Sequence, residues 1–456
     1  MKNQLHYSFL LCLTIIGVLL VLSLFDDLSV NSFSFRKLDP LADVRIDEDT
    51  LITASPLDSI AKPEERAKQH SIVAHVIEKC PPGLSCIEDY SSDSTALRHF
   101  LRALSRSQKE KRPIRIAFYG DSFIEGDVFC GSFRDTLQSI FGGRGVGFVP
   151  ITSEVAGFRN TIKHQFRNWK TKSMMNKKDS LIKVGPSGFS YIPMEGNWVQ
   201  YKPSKQRFLR EFNTVRLYYR SYKDAIVHYK FDTTEWSDVL ESSGKVEEWK
   251  YNTKGAKLVE FEFDPYDSLY IYGASFESGE GVFVDNFSIR GNSGMNLSAI
   301  NSKTYKEFNK HRNYKLIILQ FGLNMVVEES LNYGAYAEKM VNVIQTLKKN
   351  FPDCSFLLLS VSDRSSNTSG EYRTMRAIPA LRDAQRLIAQ RTGIAFWDMY
   401  EAMGGQNSMV KFTEAEPPLG ARDYTHLTFK GGKKLAGSLA KSLLFEKKKY
   451  EARSKK

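Results

Sequence analysis

The C-terminal half of the chain alternates short apolar runs with segments in which apolar residues recur every three or four positions. The runs are typical of strands buried on both faces, and the three- to four-residue spacing is typical of helices with one buried side. The predicted strands are Tyr314–Phe321, Phe356–Val361 and Ile394–Trp397. The predicted helices are marked by Met340, Val343, Ile344 and Leu347, by Leu381, Ala384, Leu387 and Ile388, and by Leu435, Leu439 and Leu443. This alternation predicts an α/β domain with a parallel sheet covered by helices on both faces.

The same alternation begins earlier in the chain. Apolar residues at helical spacing between Ala96 and Leu104 predict one helix, and the β-rich run Ile114–Tyr119 predicts the strand that follows it. A further helix is predicted over Val128–Phe141, where the pair Gly142-Gly143 ends it. These elements supply the first part of the α/β domain.

The middle of the chain, residues 152–284, follows a different pattern. Aromatic and β-branched residues predominate in the runs TVRLYYRSY, AIVHYKFD, KLVEFEFD and SLYIYGASF, and turn residues separate these runs. The pattern is typical of antiparallel strands and predicts a β-sandwich inserted into the α/β domain. Four tryptophans of this region either pack the sandwich core or offer faces to sugar rings; they are Trp169, Trp198, Trp236 and Trp249.

The N-terminus carries an uncharged run of 18 residues, Ser8 to Phe25, which follows Lys2 and precedes two aspartates. This length is just sufficient for a helix to span a bilayer. A cleaved signal peptide usually has a shorter apolar stretch and a small-residue cleavage site. The sequence therefore predicts an uncleaved membrane anchor with Lys2 inside and the body exported. A cleaved signal peptide and a buried soluble helix are the alternatives.

Composition and charge indicate which classes of binding partner the protein can have. Lys and Arg outnumber Asp and Glu by 64 to 52, a net charge of +12, and the last ten residues hold six cations and one anion. We interpret this end as a solvated basic tail, with contact to an anionic membrane or wall polymer as the alternative. No recognisable nucleic-acid module accompanies the charge, so nucleic acid is not a predicted partner.

The five cysteines are too few for a disulfide-built scaffold. Cys80 and Cys86 bracket a polar PPGLS segment and can close a small loop in an oxidising compartment. Cys130 and Cys354 fall in predicted core elements. The histidines are scattered rather than grouped at ligand spacing, so neither a metal nor a cofactor is predicted.

These patterns divide the chain into six predicted segments. They are the N-terminal anchor or signal (1–27), a stalk (28–92), the first part of the α/β domain (93–151), the inserted β-sandwich (152–284), the second part of the α/β domain (285–446) and the basic tail (447–456).

Three polar clusters come at the ends of predicted strands, where open α/β sheets place their sites. The first is Gly-Asp-Ser at 120–122, which puts Ser122 on a tight turn before a helix N-terminus; an ordinary turn is the alternative. The second is Gly-Leu-Asn at 322–324. The side-chain amide of Asn324 can point at a developing oxyanion, or it can cap the next helix.

The third cluster is Asp-Tyr-Thr-His at 423–426. An aspartate three residues ahead of a histidine can reach its Nδ1 atom, which fixes the tautomer and leaves Nε2 free to accept a proton. A lone histidine in a loop is usually an ordinary surface residue. His426 is a stronger candidate for chemistry because Asp423 precedes it and because the other two clusters occur in the same chain in this order.

The three clusters resemble the sequence blocks of the SGNH hydrolases, also called the GDSL-like esterase/lipase superfamily. The resemblance covers roughly residues 112–150 and 285–445. It implies a flavodoxin-like, three-layer α/β domain and hydrolysis of carboxylic esters, with Ser122 as the nucleophile, His426 as the base and Asp423 as the partner that orients it.

The resemblance also implies an oxyanion hole made of the Ser122 amide, the amide of a glycine and the Asn324 side chain. We match this glycine to Gly291, with Gly294 as the alternative. Gly291 lies 169 residues after Ser122, a gap for which the inserted sandwich accounts. Phe123 stands where the family usually has Leu.

Two carboxylates, Glu125 and Asp127, follow the predicted nucleophile closely. We interpret them as groups that favour the start of the next helix electrostatically, with acid/base catalysis as the alternative.

A jelly-roll-like insertion in an exported, anchored chain further resembles the bacterial peptidoglycan O-acetylesterases and related O-acetyltransferases. This implies a carbohydrate O-acetylesterase that acts on an O-acetylated glycan, with its helix in the inner membrane and its body on the periplasmic or extracellular side. One alternative is an O-acetyltransferase with the same triad, served by a membrane-bound acyltransferase. The other is a polysaccharide-binding protein without catalysis.

Overall fold

The computed structural model describes residues 80–176 and 183–454, together with Thr14 and the strands of a small hairpin at 29–30 and 33–34. The hairpin is antiparallel and pairs Val30 with Phe33. The predicted anchor at residues 8–25 lies outside the described residues except for Thr14. Within the part of the chain that is described, no helix combines the length and the apolar character that crossing a bilayer requires.

The elements are numbered in chain order. They are β1 (Ser29–Val30), β2 (Phe33–Ser34), β3 (Ile87–Asp89), α1 (Arg98–Glu110), β4 (Pro113–Gly120), α2 (Cys130–Phe141), β5 (Arg144–Val149), β6 (Ile162–Ser173), β7 (Phe189–Pro203), β8 (Phe212–Ser221), β9 (Ala225–Phe231), β10 (Thr234–Leu240), β11 (Glu247–Ala256), β12 (Val259–Phe263), β13 (Leu269–Ser278), β14 (Gly281–Asn286), α3 (Ser302–Arg312), β15 (Tyr314–Gln320), α4 (Gly334–Asn350), β16 (Ser355–Leu359), β17 (Ser365–Thr368), β18 (Glu371–Thr374), α5 (Ala377–Thr392), β19 (Ala395–Trp397), α6 (Met399–Met403), α7 (Ser408–Glu414) and α8 (Phe429–Ser454).

A six-stranded sheet with the order β14-β4-β15-β16-β19-β3 forms the centre of the α/β domain. Neighbours from β14 to β19 pair in parallel, and β3 is antiparallel to β19. The apolar runs are buried on both faces because helices pack against both sides of such a sheet, and β16 is buried at every position. The parallel sheet predicted from the sequence is therefore present.

The edge strand β3 lies inside the segment that the sequence predicted as a stalk. Ile87 is buried in the domain core, and Cys80 and Cys86 form a disulfide bond just before it. The carbonyl of Ser85 in this loop accepts a hydrogen bond from the indole of Trp397 at 2.9 Å. The folded body therefore includes residues 80–92, which lie before the predicted boundary at residue 93.

The helices form two packed groups, one of α1, α2 and α8 and the other of α3, α4 and α5. Helix α8 continues to Ser454 and so includes most of the predicted basic tail. Ion pairs between Lys447 and Glu451 and between Lys449 and Glu446 accompany this last part of the helix. Such pairs three or four residues apart stabilise an exposed helix surface.

The inserted region forms a nine-stranded antiparallel sheet around a second hydrophobic core. The sheet starts at β5, before the predicted boundary at residue 152, because β5 pairs with β13. The two strands approach closely at Gly145, where a Cβ would lie 2.2 Å from the Phe276 carbonyl oxygen. The sheet ends at Ser278, and β14 already pairs with β4 in the α/β sheet. Trp249 is buried in the core of the insertion, whereas Trp236 is 39% exposed.

Buried ion pairs join the insertion to the α/β domain. Arg312 at the end of α3 pairs with Asp285 on β14 and with Glu277 on β13, each at 2.6 Å, and Arg115 on β4 pairs with Glu277 at 2.7 Å. All four side chains are almost completely buried. Because removing one partner of such a pair leaves a buried charge without compensation, this network holds β13 and β14 against β4.

Candidate active site

Ser122 lies on the tight turn that ends β4. The backbone N–H groups of Ile124 and Glu125 both donate to the Asp121 carbonyl and close the turn. Gly120 has to be glycine here, because a Cβ at this position would lie 2.7 Å from Cγ1 of Ile124. The turn leaves Ser122 partly exposed at the carboxyl end of the parallel strands, where the sequence pattern placed it.

The structure brings Ser122 and His426 together although 304 positions separate them. The Ser122 Oγ atom lies 3.0 Å from Nε2 of His426, and Nδ1 of His426 lies 2.6 Å from Oδ2 of Asp423. Because a carboxylate only accepts, Nδ1 carries the proton that it donates to Asp423, and Nε2 is free to accept from the serine hydroxyl. The three side chains form a hydrogen-bonded series from hydroxyl to imidazole to carboxylate, which is the arrangement that nucleophilic acyl transfer needs.

Asp423 is held by more than the imidazole. Its Oδ1 atom accepts the backbone N–H groups of Thr425 and His426, each at 3.0 Å. Partial burial acts to raise the pKa of Asp423, but these hydrogen bonds and the one from the His426 ring outweigh burial and lower the pKa below its usual value. The carboxylate therefore stays ionised and keeps the imidazole in one tautomer.

Asn324 follows β15 and lies in a short 3-10 turn, Leu323–Met325, and the helix that follows, α4, has no side-chain capping hydrogen bond at its N-terminus. Its Nδ2 atom donates to Oδ2 of Asp121 at 3.3 Å and to the carbonyl of Asn292 at 3.2 Å. The amide thus connects the turn that carries Ser122 with the loop after β14. Both of its N–H groups are engaged, so donation to an oxyanion requires one of them to be shared or released.

The loop after β14 carries both glycines considered for the oxyanion hole. It lies beside the Ser122 turn, because the Ile289 N–H donates to the Gly120 carbonyl at 3.0 Å. Gly291 is exposed with φ of 74°, and its N–H has no acceptor among residues 80–176 and 183–454. The Gly294 N–H instead donates to Oδ1 of Asn292, and a Cβ there would lie 2.6 Å from the Phe321 ring. Gly291 therefore fits the donor role better than Gly294.

Glu125 and Asp127 make contacts other than those that the sequence analysis proposed. Both lie in a 3-10 turn before α2. Asp127 is buried, and although burial disfavours its charge, Arg134 and Arg159 hold its pKa far below the usual range. Glu125 pairs with Arg290, the residue before Gly291, at 3.2 Å. Asp127 thus joins the serine turn to α2 through Arg134, and Glu125 joins it to the loop after β14. That both carboxylates favour the start of the helix electrostatically stays a prediction.

Asp121 is the site residue to which the sequence analysis assigned no role. Its side chain is completely buried, and it accepts from the Phe123 N–H at 2.9 Å as well as from Asn324. Burial raises the pKa of Asp121 to about 7, and the hydrogen bond from Phe123 and the nearby His426 oppose that shift only in part. The Gly-Asp-Ser cluster contained this residue, but nothing in the cluster shows that its carboxyl group reaches Asn324.

We expect Asp121 to make the protein less stable as the pH rises from about 4 to about 7. The folded state holds the proton up to the raised pKa, whereas the unfolded chain releases it near the ordinary value. The folded state therefore binds more protons in this window, and its stability falls with increasing pH. In Asp121→Asn this titration is lost, so the free energy of unfolding of the variant relative to wild type should increase across the window by at most a few kcal/mol.

Urea unfolding at several pH values between 4 and 8 measures this difference. Asp267→Asn, at an exposed aspartate of the insertion, is the matched control. The difference between its free energy of unfolding and that of wild type should stay constant with pH. If the difference in free energy of unfolding between Asp121→Asn and wild type is also constant with pH, the Asp121 carboxyl does not titrate in this range. The comparison uses the slope with pH, because the amide also changes hydrogen bonding at every pH.

No three His, Cys, Asp or Glu side chains in the described residues lie close enough together to hold a metal ion. The groups that the site does present are a serine hydroxyl, an imidazole fixed by a carboxylate, and two kinds of N–H donor beside them. This arrangement can move a proton away from Ser122 while its oxygen attacks a carbonyl carbon.

Comparisons with known proteins bear on the fold. No protein-family model and no curated protein matches the sequence. A solved structure described as a peptidoglycan O-acetylesterase in action is similar with a TM-score of 0.65 and 20% identity, over 80% of this chain and 99% of that chain.

Two further solved structures are similar with lower TM-scores. A family two carbohydrate esterase from Cellvibrio japonicus has a TM-score of 0.26 and 9% identity, over 65% of this chain and 96% of its own. A salicylyl-acyltransferase from a tetracycline biosynthetic pathway has a TM-score of 0.28 and 11% identity, over 65% and 97%. The sheet topology agrees with the α/β fold that the resemblance seen in the sequence implies, and this chain shares the fold of the first structure.

Proposed function

We propose that this chain is a serine esterase that removes O-acetyl groups from a cell-wall or other polysaccharide. The observation that carries the proposal is the hydrogen-bonded series Ser122, His426 and Asp423 at the carboxyl end of the parallel sheet. The fold that the chain shares with a peptidoglycan O-acetylesterase supports the choice of substrate class.

In the proposed reaction, Nε2 of His426 takes the proton of Ser122 as Oγ attacks the acetyl carbonyl carbon. The resulting imidazolium is stabilised by the ionised Asp423. His426 then gives the proton to the sugar oxygen, which leaves as an alcohol, and the acetyl group stays on Ser122 as an ester. His426 then takes a proton from water as the water oxygen attacks the ester carbonyl, and it returns this proton to Ser122 Oγ as the acyl–Oγ bond breaks and acetate is released.

Charge on the former carbonyl oxygen has to be stabilised in both tetrahedral intermediates. We assign this role to the backbone N–H groups of Ser122 and Gly291 and to the side-chain amide of Asn324. Preorganised donors of this kind are effective because they need no reorientation as the charge develops. The free Gly291 N–H supports the assignment, and so does the position of the Asn324 amide between the serine turn and the loop after β14, with one of its two N–H groups shared with or released to the oxyanion.

We also propose that the body of the chain works outside the cytoplasm, on the periplasmic or extracellular side, with the N-terminal helix in the membrane. The disulfide bond between Cys80 and Cys86 supports export, because such bonds persist in oxidising compartments. The apolar run at residues 8–25 supports anchoring.

Acetate release from O-acetylated peptidoglycan and from O-acetylated xylan tests the proposed activity. We expect the purified protein to release acetate from at least one of these polymers, and no acetate from the same polymer after alkaline deacetylation. Absence of release from both polymers and from a chromogenic acetate would favour polysaccharide binding without catalysis. Acetyl transfer from a donor to a glycan acceptor, detected by mass spectrometry, would instead favour the O-acetyltransferase.

A further inference from the structure

A β-hairpin made of β17 and β18 lies beside the loop that carries Asp423 and His426. Its two-residue turn is Ser369-Gly370, with φ of 55° and 90°, the left-handed conformation that tight hairpin turns require. The Ser365 N–H at the base of the hairpin donates to the carbonyl of Tyr424 at 3.0 Å. The hairpin therefore borders the catalytic loop, and its tip is exposed to solvent.

The base of the hairpin is fixed to the α/β domain by further hydrogen bonds. The Thr374 N–H donates to Oδ1 of Asn407 at 3.0 Å, and the Asn407 N–H donates to Oγ1 of Thr374 at 2.7 Å. The Ser366 hydroxyl donates to Glu328 at 3.2 Å. The exposed tip consequently stands on a well-defined base.

Two aromatic rings stack where the hairpin meets the catalytic loop. The rings of Tyr372 and Tyr424 are nearly parallel, at 7°, with centroids 3.6 Å apart. Tyr424 lies directly after Asp423 and two residues before His426. One face of Tyr372 is thus covered by Tyr424, while the residue is still 40% exposed.

A polar group stands next to the exposed ring. Asn367 is the cross-strand partner of Tyr372, so both side chains lie on the same face of the hairpin, with Cβ atoms roughly 5 Å apart. Oδ1 of Asn367 accepts from the Gly370 N–H at 3.0 Å, which fixes the amide. Its Nδ2 donates to no protein group in the described residues, so it is available to a ligand.

We propose that Tyr372 and Asn367 form a subsite for a sugar ring of the glycan next to the acetylated one. The inference rests on the proposed function and extends it, because it assigns the substrate to oligomeric or polymeric glycans. A pyranose presents a face of C–H groups and a rim of hydroxyls. The C–H face suits the negative face of an aromatic ring, and the hydroxyls suit the Asn367 amide.

The stacked arrangement favours binding because the platform is already ordered before the glycan arrives. Tyr424 holds the Tyr372 ring in one orientation, so little side-chain freedom remains to be lost on binding. The position of the stack next to Asp423 places the subsite at the edge of the catalytic loop.

Steady-state kinetics of wild type, Tyr372→Ala and Tyr372→Phe on two substrates test the proposal. The substrates are O-acetylated peptidoglycan fragments of two or more disaccharide units and 4-nitrophenyl acetate. We expect Tyr372→Ala to raise KM for the fragments roughly 2- to 12-fold, the range that aromatic stacking energies correspond to, with kcat unchanged. The same variant should hydrolyse 4-nitrophenyl acetate like wild type, and Tyr372→Phe, which keeps the ring, should behave like wild type on both substrates.

Two further variants make the test specific. Tyr222→Ala removes a tyrosine that is 46% exposed on the insertion, and it should leave both reactions unchanged. Asn367→Asp keeps the acceptor for the Gly370 N–H but removes the free donor, and it should raise KM for the fragments only. Equal loss of kcat on both substrates in Tyr372→Ala would overturn the proposal, because Tyr372 would then act by positioning the triad through Tyr424.

Binding of deacetylated peptidoglycan fragments, measured by calorimetry, separates this inference from the proposed function. If wild type hydrolyses neither substrate, the proposed function fails, yet weaker binding of fragments by Tyr372→Ala than by wild type would still support the subsite. Unchanged binding and unchanged KM in Tyr372→Ala would overturn the subsite even if the protein is an active esterase.

Discussion

Ser122→Ala and His426→Ala should each lower kcat for ester hydrolysis about 10⁴- to 10⁶-fold, and the double variant should be no slower than the slower single variant. The reason is that the two residues act as one unit: the hydroxyl at 3.0 Å from Nε2 is a weak nucleophile unless the imidazole removes its proton. Stopped or continuous assays of 4-nitrophenyl acetate and of acetate release from the polysaccharide measure the effect.

Covalent labelling separates the roles of the two residues. An organophosphonate probe should label wild type at Ser122, label His426→Ala slowly, and leave Ser122→Ala unlabelled. A suitable control is Ser139→Ala, which removes an exposed serine hydroxyl of α2 that donates a hydrogen bond to the Thr136 carbonyl of the same helix. Labelling of Ser122→Ala at the wild-type rate, or additive losses in the double variant, would show that these residues do not form the nucleophilic unit.

Long buried strands were the part of the fold that the sequence predicted best. The run Tyr314–Phe321 is continuous and apolar, and the structure has β15 there from Tyr314 to Gln320. Strand β3 escaped prediction because three residues are too few to show a period, and it lies next to a polar disulfide loop. Strand β5 was not predicted because its glycines interrupt any alternation of apolar and polar residues.

The candidate site shows the same difference. Some of its residues belong to short sequence clusters and could be predicted, whereas others come close to the site only through the fold. Ser122 and Asn324 stand in clusters at strand ends, whereas Asp423 and His426 lie in the loop between α7 and α8 and not after a strand, as the sequence analysis expected. The structure places Ser122 beside His426 and Asn324 beside Asp121. Tyr372 was not predicted as a site residue because the surrounding sequence, SNTSGEYRT, indicates only an exposed hairpin with a Ser-Gly turn. Its contact with Tyr424 joins segments about fifty positions apart, which no local pattern encodes.

The geometry around Asn324 also shows how the site is assembled. Its amide contacts Asp121 from the strand β4 turn and the Asn292 carbonyl from the loop after β14. The buried pairs of Arg312 with Asp285 and Glu277 fix β14 against the insertion and α3. The oxyanion-hole donors that we propose therefore come from three separate chain segments, which the core of the α/β domain holds in register.

Asn324→Ala should lower kcat about 10²- to 10³-fold while KM changes little, because the amide is expected to bind the oxyanion in the transition state and not the ground-state ester. The same kinetic assays used for the serine variant measure both constants. Asn296→Ala is the matched control, since Asn296 is an exposed asparagine in the 3-10 turn Met295–Ala299, which follows Gly291. A rise in KM with kcat unchanged would mean that Asn324 binds substrate uniformly and has no special contact in the transition state.

Loss of folding has to be separated from loss of this donor, because Asn324→Ala also leaves Asp121 and the Asn292 carbonyl without one partner each. Asn324→Asp helps to separate the effect on stability from the effect on catalysis. It keeps the size of the side chain but brings a second carboxyl group to the buried Asp121. Mutual repulsion of the two carboxylates should make Asn324→Asp less stable than Asn324→Ala, and the difference should shrink at low pH, where both groups are protonated. If Asn324→Ala unfolds at the same urea concentration as wild type yet is slower by the expected factor, the loss lies in the transition state; if kcat falls only in proportion to the unfolded fraction, Asn324 is structural.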